Sequence, residues 1–188
     1  MKVLEVNVDD LHSGGVYSLV KNVIVDKNAD IKIDIGAIER FVNIENIKTL
    51  NNYNCDVYYV GYEGCKWKKQ FVCFNNLRKL LKRNNYDCVH IHADVSNKLL
   101  VSALAAKSVG VKKIILHSHA AGVDGNHRLA KRNIHFICRR LLIHIGTDFV
   151  ACSGVAAAWM FPNIAKERII IINNGVDLEK FRFNPEIR

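Results

Sequence analysis

The sequence predicts an α/β fold, a Rossmann-like doubly wound parallel sheet with helices on both of its faces. Short runs rich in β-branched and aromatic residues alternate with helical patterns along the chain, and this alternation is typical of a parallel sheet covered by helices. Because strand–helix–strand crossovers are right-handed, a doubly wound topology is the simplest arrangement of these elements. With 188 residues, 49% of them apolar, the chain can close one substantial core.

The individual elements follow from the spacing of apolar residues. Seven strands are predicted, at residues 2–8, 31–36, 56–60, 87–92, 112–117, 148–152 and 168–172. Six helices fall between them, at residues 15–25, 43–52, 70–84, 97–108, 127–145 and 154–161. Residues 173–188 lose the alternation and become polar. We therefore predict one Rossmann-like domain over residues 1–172, and an interdomain linker over residues 173–188 that leads into a further domain.

The composition predicts a cytoplasmic protein. No apolar run approaches the roughly 18 residues of a membrane span, and the N-terminus lacks the basic and then apolar pattern of a signal peptide. None of the six cysteines forms a C-x-x-C pair, and several stand inside apolar runs. We interpret them as reduced residues that pack as small hydrophobes.

The balance of charge predicts an anionic partner. The chain has 27 Lys and Arg against 18 Asp and Glu, a formal net charge of +9. Phosphates, nucleic acid or an acidic membrane surface would each suit that charge. No nucleic-acid-binding motif accompanies it, so we predict no nucleic-acid partner.

Residues 66–83 concentrate this charge, with seven Lys or Arg and no acid. Apolar residues recur there at near-helical spacing, and such a helix can lie on an acidic membrane. The lysines that we assign to this membrane surface are Lys66, Lys68, Lys69, Lys79 and Lys82. The alternative is an ordinary surface helix whose apolar side packs in the core. The predicted helix at 127–145 repeats the basic pattern.

The loop after the first strand, "LHSGGV", contains the glycine pair Gly14 and Gly15. Ligands of open α/β sheets bind beyond the carboxyl ends of the strands, and glycines let the backbone approach a phosphate at the start of the next helix. The alternative is a turn that requires a positive φ. The dinucleotide pattern G-x-G-x-x-G is absent. Asp34 stands about 20 residues downstream, as a ribose-binding acid would, but we expect it to point outward. A nicotinamide-dependent oxidoreductase is therefore a disfavoured alternative.

Two H-x-H pairs end two successive strands, His90 with His92 and His117 with His119. Because side chains alternate along a strand, both members of each pair point to one face. Four histidines could bind zinc, but carboxylates are few nearby, so we predict no metal. His90 and His117 fit core histidines bonded to backbone. His119, beyond its strand, is the best candidate for a hydrogen bond with a substrate hydroxyl.

Taken together, these residues resemble the N-terminal half of a family 4, or group 1, glycosyltransferase of the GT-B fold, especially the enzymes of bacterial capsular and exopolysaccharide synthesis. The resemblance runs from Met1 to the polar tail. It is carried by five segments in order: "HSGGVYSLVKNV", "YDCVHIHAD", "GVKKIILHSHA", "TDFVACSGVAAAWMF" and "IIIINNGVDLEKF". The segment "NNGVD" matches the crossing of that family into its second domain.

The resemblance implies a retaining glycosyltransferase in which two Rossmann-like domains face a cleft, the first binding mainly the acceptor and the second the nucleotide-sugar. Gly14 and Gly15 would contact the donor diphosphate, and His119 would be the catalytic-site residue that contacts the transferred sugar. Further cleft residues toward the acceptor would be His12, Ser13, His92, Asp94 and Ser118. The partners would be a nucleotide-sugar donor and a glycan or lipid-linked acceptor, with no cofactor, at the inner face of the membrane.

The chain departs from that family in two places. It contains no pair of glutamates separated by seven residues, the donor-binding motif of the second domain, and Ala120 replaces the asparagine of the usual HSHN. We therefore expect that the chain alone does not catalyse transfer, either because it is truncated or because a separate chain supplies the donor-binding domain. A non-catalytic module that binds glycan or membrane is the main alternative function.

Overall fold

One parallel sheet of seven strands organises the computed structural model, which describes residues 1–11, 15–123 and 128–175. The strands are β1 (Lys2–Val6), β2 (Lys32–Ala37), β3 (Val57–Tyr59), β4 (Cys88–Ala93), β5 (Lys113–Ser118), β6 (Asp148–Ala151) and β7 (Ile169–Ile171). Their spatial order is β3-β2-β1-β4-β5-β6-β7, so the strand order reverses between β1 and β4. Such a reversal is the switch point beside which doubly wound sheets bind their ligands.

Within the described residues, six α-helices connect the strands: α1 (Gly15–Asp26), α2 (Ile44–Asn52), α3 (Lys66–Asn84), α4 (Ser96–Ser108), α5 (Arg128–Leu142) and α6 (Gly154–Met160). Side chains and backbone conformation set several of the helix ends. The Asn43 side chain accepts from the Glu45 N–H at the start of α2, and Ser153 caps α6 through the Ala156 N–H. Asn85 ends α3 in the left-handed region, with φ of 49°.

The core has two main layers, one on each face of the sheet. Residues of α1 and α2, including Val20, Ile24 and Leu50, pack over β1 and β2. Residues of α3, α4 and α5 form the larger layer with β1, β4 and β5. Both faces of the central strands are therefore covered, as the near-continuous apolar runs of a parallel sheet require.

Every predicted strand and helix is present, and the fold class is confirmed. The largest difference in the strands is that β1 ends at Val6 rather than at residue 8, because Asn7 adopts a φ of 65°. In the helices, α3 begins four residues earlier than predicted, and α5 ends at Leu142 rather than at residue 145. The predicted domain boundary at residue 172 stays a prediction, and most of the predicted linker, residues 176–188, lies outside the described residues.

The outward orientation predicted for Asp34 is wrong. Its side chain is fully buried within β2, where it accepts hydrogen bonds from the Tyr86 hydroxyl at 2.8 Å and the Asp56 N–H at 3.1 Å. The alternation rule fails here because helices or neighbouring segments cover both faces of this strand. Because Asp34 is enclosed in the sheet, it cannot reach a ribose beyond the strand end.

Two compositional predictions concern the cysteines and the membrane. All six cysteines are free thiols, and Cys55, Cys73 and Cys88 are buried. Among the described residues, no helix combines the length and the apolar character that crossing a membrane demands.

Candidate functional site

A cavity of about 530 Å³ opens at the switch point, beyond the carboxyl ends of β1, β2 and β4. Its floor includes Asn7 and His92, and His119 lies beside them. The first turn of α1 contributes Gly15, and α3 and α4 supply the opposite wall. The topology thus brings the segments that follow β1, β2, β4 and β5 to one ligand-sized space.

The backbone after β1 is shaped for this cavity. Asn7, in its left-handed conformation, donates a side-chain hydrogen bond to the His92 carbonyl at 2.6 Å and so ties β1 to β4. The carboxylate of Asp10 accepts from the Val42 N–H at 2.7 Å, the Asn43 N–H at 3.0 Å and the Asn46 side chain at 2.8 Å. These bonds lower the pKa of Asp10 despite its partial burial. They hold Asp10 against the residues at the start of α2 and just before it.

Charged pairs line the cavity wall. Lys69 of α3 contacts Glu39 at 2.6 Å, and Lys98 of α4 contacts Asp94 at 3.1 Å. Asp9 also faces the cavity, and burial raises the pKa of its carboxyl group. A wall of alternating acids and bases offers donors and acceptors to a hydroxyl-rich ligand.

The histidines of the two H-x-H pairs form one cluster around a buried glutamate. Glu5 of β1 is 6% exposed, and its Oε2 atom lies 2.6 Å from His92 Nε2 and 3.0 Å from His90 Nδ1. His92 Nδ1 in turn lies 2.8 Å from His119 Nε2, and His90 Nε2 lies 3.1 Å from His117 Nδ1. Strand register explains the assembly, since Glu5 is the partner of His90 and His92 is the partner of His117.

The electrostatics of this cluster favour an ionised glutamate and neutral imidazoles on His92, His117 and His119. Burial raises the pKa of Glu5, but His90 and His92 outweigh it, so the pKa is lowered overall. Burial lowers the pKa of His92, of His117 to about 2 and of His119 to about 3, and neighbouring imidazoles add to each shift. Imidazoles in this state can accept a hydrogen bond at neutral pH.

Three of these histidines lie close enough together to be considered as metal ligands. His90, His92 and His117 each offer a ring nitrogen, and those atoms lie within 4.8 Å of one another. Glu5 occupies one nitrogen of His90 and one of His92, and neighbouring imidazoles pair with their other nitrogens. Hydrogen bonds therefore account for both rings, and the absence of a metal stays a prediction.

Several predicted site residues lie at the cavity. His92, His119, Asp94 and Gly15 all line it. A Cβ atom added to Gly15 would meet nothing within 4 Å, and its φ is not positive, so neither sterics nor backbone conformation demands glycine there. The predicted residues His12, Ser13 and Gly14 lie outside the described residues.

Other predicted residues are placed elsewhere. Ser118 is fully buried, and its hydroxyl donates to the Ala156 carbonyl at 3.2 Å, so it holds α6 against β5. Lys69, assigned to the membrane surface, lines the cavity and pairs with Glu39 instead. Lys68, Lys79 and Lys82 are exposed on α3, and the side chain of Lys66 lies outside the described residues.

Sequence reasoning missed Glu5, which stands at the centre of the histidine cluster. The available signal was an acid inside the apolar run "KVLEVNV". Within a strand covered on both faces, an acid must find buried partners. The carboxylate that these histidines contact is therefore one that the sequence analysis overlooked.

The strand order defines a Rossmann-like domain with a cavity at its switch point. Residues 52–180 match Glycosyltransferase Family 4, and the chain belongs to that family. It is also 32% identical over 133 residues to the "Putative glycosyltransferase EpsF" of Bacillus subtilis (strain 168), a match that covers 69% of this chain and 34% of that protein. The predicted family resemblance is thus confirmed.

Solved structures share the fold at low sequence identity. The S. aureus MnaA–UDP co-structure superposes with a TM-score of 0.67 at 12% identity, covering 100% of this chain and 49% of that one. The structure of Anabaena Alr3699/HepE in complex with UDP and glucose gives a TM-score of 0.64 at 15% identity, covering 99% and 47% of the two chains. The chain spans about one third of the curated relative and about half of these structures.

Proposed function

We propose that this chain is the acceptor-side domain of a retaining glycosyltransferase that moves a sugar from a nucleotide-sugar to a glycan or lipid-linked acceptor in polysaccharide biosynthesis. The observation that carries the proposal is His119, which borders the switch-point cavity on a chain that belongs to glycosyltransferase family 4. Its neutral imidazole can hydrogen-bond to a hydroxyl of the transferred sugar. The name of EpsF, and the UDP bound in the two solved structures, support a nucleotide-sugar as donor.

The donor diphosphate is proposed to approach the first turn of α1. Gly15 lines the cavity, and open space surrounds the position where its side chain would be. Unpaired N–H groups at a helix start favour an anion, and glycine leaves the backbone accessible to it. Stabilising the departing diphosphate in this way is the main catalytic contribution that we propose for this domain.

The acceptor is proposed to occupy the part of the cavity between α3 and α4. There the pairs Lys69–Glu39 and Lys98–Asp94 present charged donors and acceptors over an apolar base. Sugar hydroxyls can bond both members of such pairs, while the apolar atoms contact the ring faces. This wall supports a glycan more directly than a nicotinamide, whose ribose would need an acid that Asp34 cannot supply.

The experiment that tests this function is a transfer assay on the chain alone and on the chain joined to the donor-binding domain of a family 4 relative. We expect the fusion to transfer sugar from a UDP-sugar to a glycan. We expect the 188 residues alone to give no turnover, because one cavity wall cannot fix a nucleotide-sugar, and placement contributes about 7–11 kcal/mol to such reactions. Binding of NAD, with none of UDP-sugar or glycan to either protein, would instead indicate an oxidoreductase.

A second proposal concerns an anionic membrane surface, which we place at α5. Four apolar side chains of this helix are exposed, among them Leu129 at 70% and Ile137 at 67%. The helix contains no acid, and Arg132 and Arg140 are exposed beside the apolar residues. By contrast, α3 buries Leu77 and Leu81 in the core and exposes Phe71 alone among its large apolar side chains whose burial is described. Exposed apolar and basic residues on one helix suit an acidic lipid interface.

A further inference from the structure

The hydrogen bonds around Glu5 restrict where each histidine carries its proton. An ionised carboxylate only accepts hydrogen bonds, so both nitrogens that contact Glu5 Oε2 must be N–H donors. His92 therefore donates through Nε2, and His90 donates through Nδ1. In the neutral His92 ring the opposite nitrogen, Nδ1, is an acceptor.

The constraint passes to the next ring. His92 Nδ1 accepts from His119 at 2.8 Å, so His119 must carry its proton on Nε2.

For His119, the assignment leaves a lone pair on Nδ1. That nitrogen has no partner within the described part of the chain, and the residue borders the cavity. We propose that Glu5 is a positioning residue that, through His92, fixes His119 as the Nε2–H tautomer and so makes Nδ1 an acceptor for a substrate hydroxyl. The identification of the ligand as a hydroxyl rests on the proposed function, whereas the assignment of the tautomer does not.

The chemical consequence concerns which substrate group His119 recognises. An imidazole held in the opposite tautomer would offer a donor to the cavity and would favour a carbonyl or phosphate oxygen instead. When the hydroxyl donates to Nδ1, any positive charge that develops on His119 is shared with His92 and is stabilised by the Glu5 carboxylate. Glu5 therefore influences the cavity without contacting the ligand.

The first test uses the unaltered, ligand-free chain labelled with ¹⁵N at histidine. Long-range ¹H–¹⁵N spectra at neutral pH distinguish protonated from unprotonated ring nitrogens. We expect the proton of His119 on Nε2. A proton on His119 Nδ1, or on both of its nitrogens, would overturn the inference.

The second test compares two variants. Glu5→Leu removes the hydrogen-bond acceptor, and Glu5→Gln removes only the negative charge. We expect Glu5→Leu to give a mixture of His119 tautomers, and Glu5→Gln, whose amide oxygen still accepts, to keep most of the Nε2–H form. Glu63→Gln, which removes an exposed acid paired with Arg40, is the matched control and is expected to leave the spectrum unchanged. An unchanged tautomer in a folded Glu5→Leu variant would contradict the role of Glu5.

The same kind of spectrum tests the proposed function and the positioning role of Glu5 separately. We expect an acceptor glycan to shift His119 Nδ1 in the fusion protein, and we expect Glu5→Leu to lower its kcat by at least about tenfold with little change in KM. If the ligand-free tautomers are as assigned but neither glycan nor UDP-sugar moves Nδ1, the proposed function fails while the positioning role stands. If the tautomers differ, the positioning role fails whatever the activity.

Discussion

For single residues at the cavity, what the fold requires can be compared with the binding role predicted for them. Gly15 starts α1 without a positive φ and without a steric demand for glycine, so its contribution to the fold is small. His119 is bonded to His92 through Nε2 and borders the cavity, and its other ring nitrogen has no partner among the described residues. The sequence predicted both as site residues, but it could not show that Glu5 lies behind His119, because only the pairing of β1 with β4 brings them together.

The first prediction is that Gly15→Ala weakens binding of the donor diphosphate without lowering stability. Alanine is the better helix former by up to about 1 kcal/mol, and its methyl group would enter open space that the ligand needs. Isothermal titration with UDP on the fusion protein measures the affinity, and urea unfolding measures the stability. Gly154→Ala is the matched control, since Gly154 starts α6 in equally open space. Unchanged UDP affinity in Gly15→Ala would remove Gly15 from the donor site.

Among the elements, sequence patterning predicted every strand and helix, because apolar periodicity survives in a fold with few irregularities. Sequence patterning failed where the backbone conformation of one residue, or a partner distant in sequence, determines the structure. Asn7 ended β1 early through its left-handed conformation, and Tyr86 allowed Asp34 to be buried in β2. Such partners cannot be inferred from periodicity along a single strand.

The second prediction is that Tyr86→Phe destabilises the fold by about 1–3 kcal/mol, because the buried Asp34 carboxylate loses the hydroxyl that bonds it. Urea unfolding measures the change. Tyr17→Phe is the matched control: the Tyr17 hydroxyl is buried and lacks a hydrogen-bond partner among the residues described, so its removal is expected to be neutral or stabilising. Equal losses in the two variants would contradict the importance of the bond to Asp34.

The third prediction concerns α5. Reversing Arg132 and Arg140 to Glu is expected to reduce binding to anionic vesicles at least about tenfold, since each basic residue near such a surface contributes about 1 kcal/mol. Reversing Lys79 and Lys82 on α3 changes the net charge equally and is expected to have a smaller effect. Co-sedimentation at low and high salt measures both, and salt is expected to weaken binding by the unaltered chain. Equal sedimentation with neutral and anionic vesicles would rule out this membrane surface.

For the molecule as a whole, the buried histidines link stability to pH. The pKa values of His92, His117, His119 and His135 are all lowered, chiefly by burial. The unfolded chain therefore binds protons more readily than the native one once the pH falls below about 6.5. The contribution of these neutral histidines to the free energy of unfolding is fully present above that pH. It is lost as the pH falls toward their native pKa values. The lowered pKa of Glu5 adds a loss of the same sign at more acidic pH.

The fourth prediction follows from this linkage. The free energy of unfolding is expected to fall between pH 7.5 and 5.5, with each buried histidine adding up to about 1.4 kcal/mol per pH unit below 6.5. Urea titrations at several pH values measure the slope. His135→Phe, which removes one of these imidazoles from beside Trp159, is expected to reduce the slope even if it lowers stability overall. A free energy of unfolding that is constant over this range would contradict neutral burial of the histidines.

The central claim is that His119 contacts the sugar that this domain helps to transfer, and the measurement that tests it most directly is turnover of the fusion protein with His119→Ala. We expect turnover to fall by more than about tenfold, because one lost transition-state hydrogen bond can cost about 2.7–4 kcal/mol. The thermal transition is expected to be retained, and His144→Ala, at an exposed histidine, is expected to keep full activity. Turnover that is unchanged in His119→Ala would place the chemistry elsewhere.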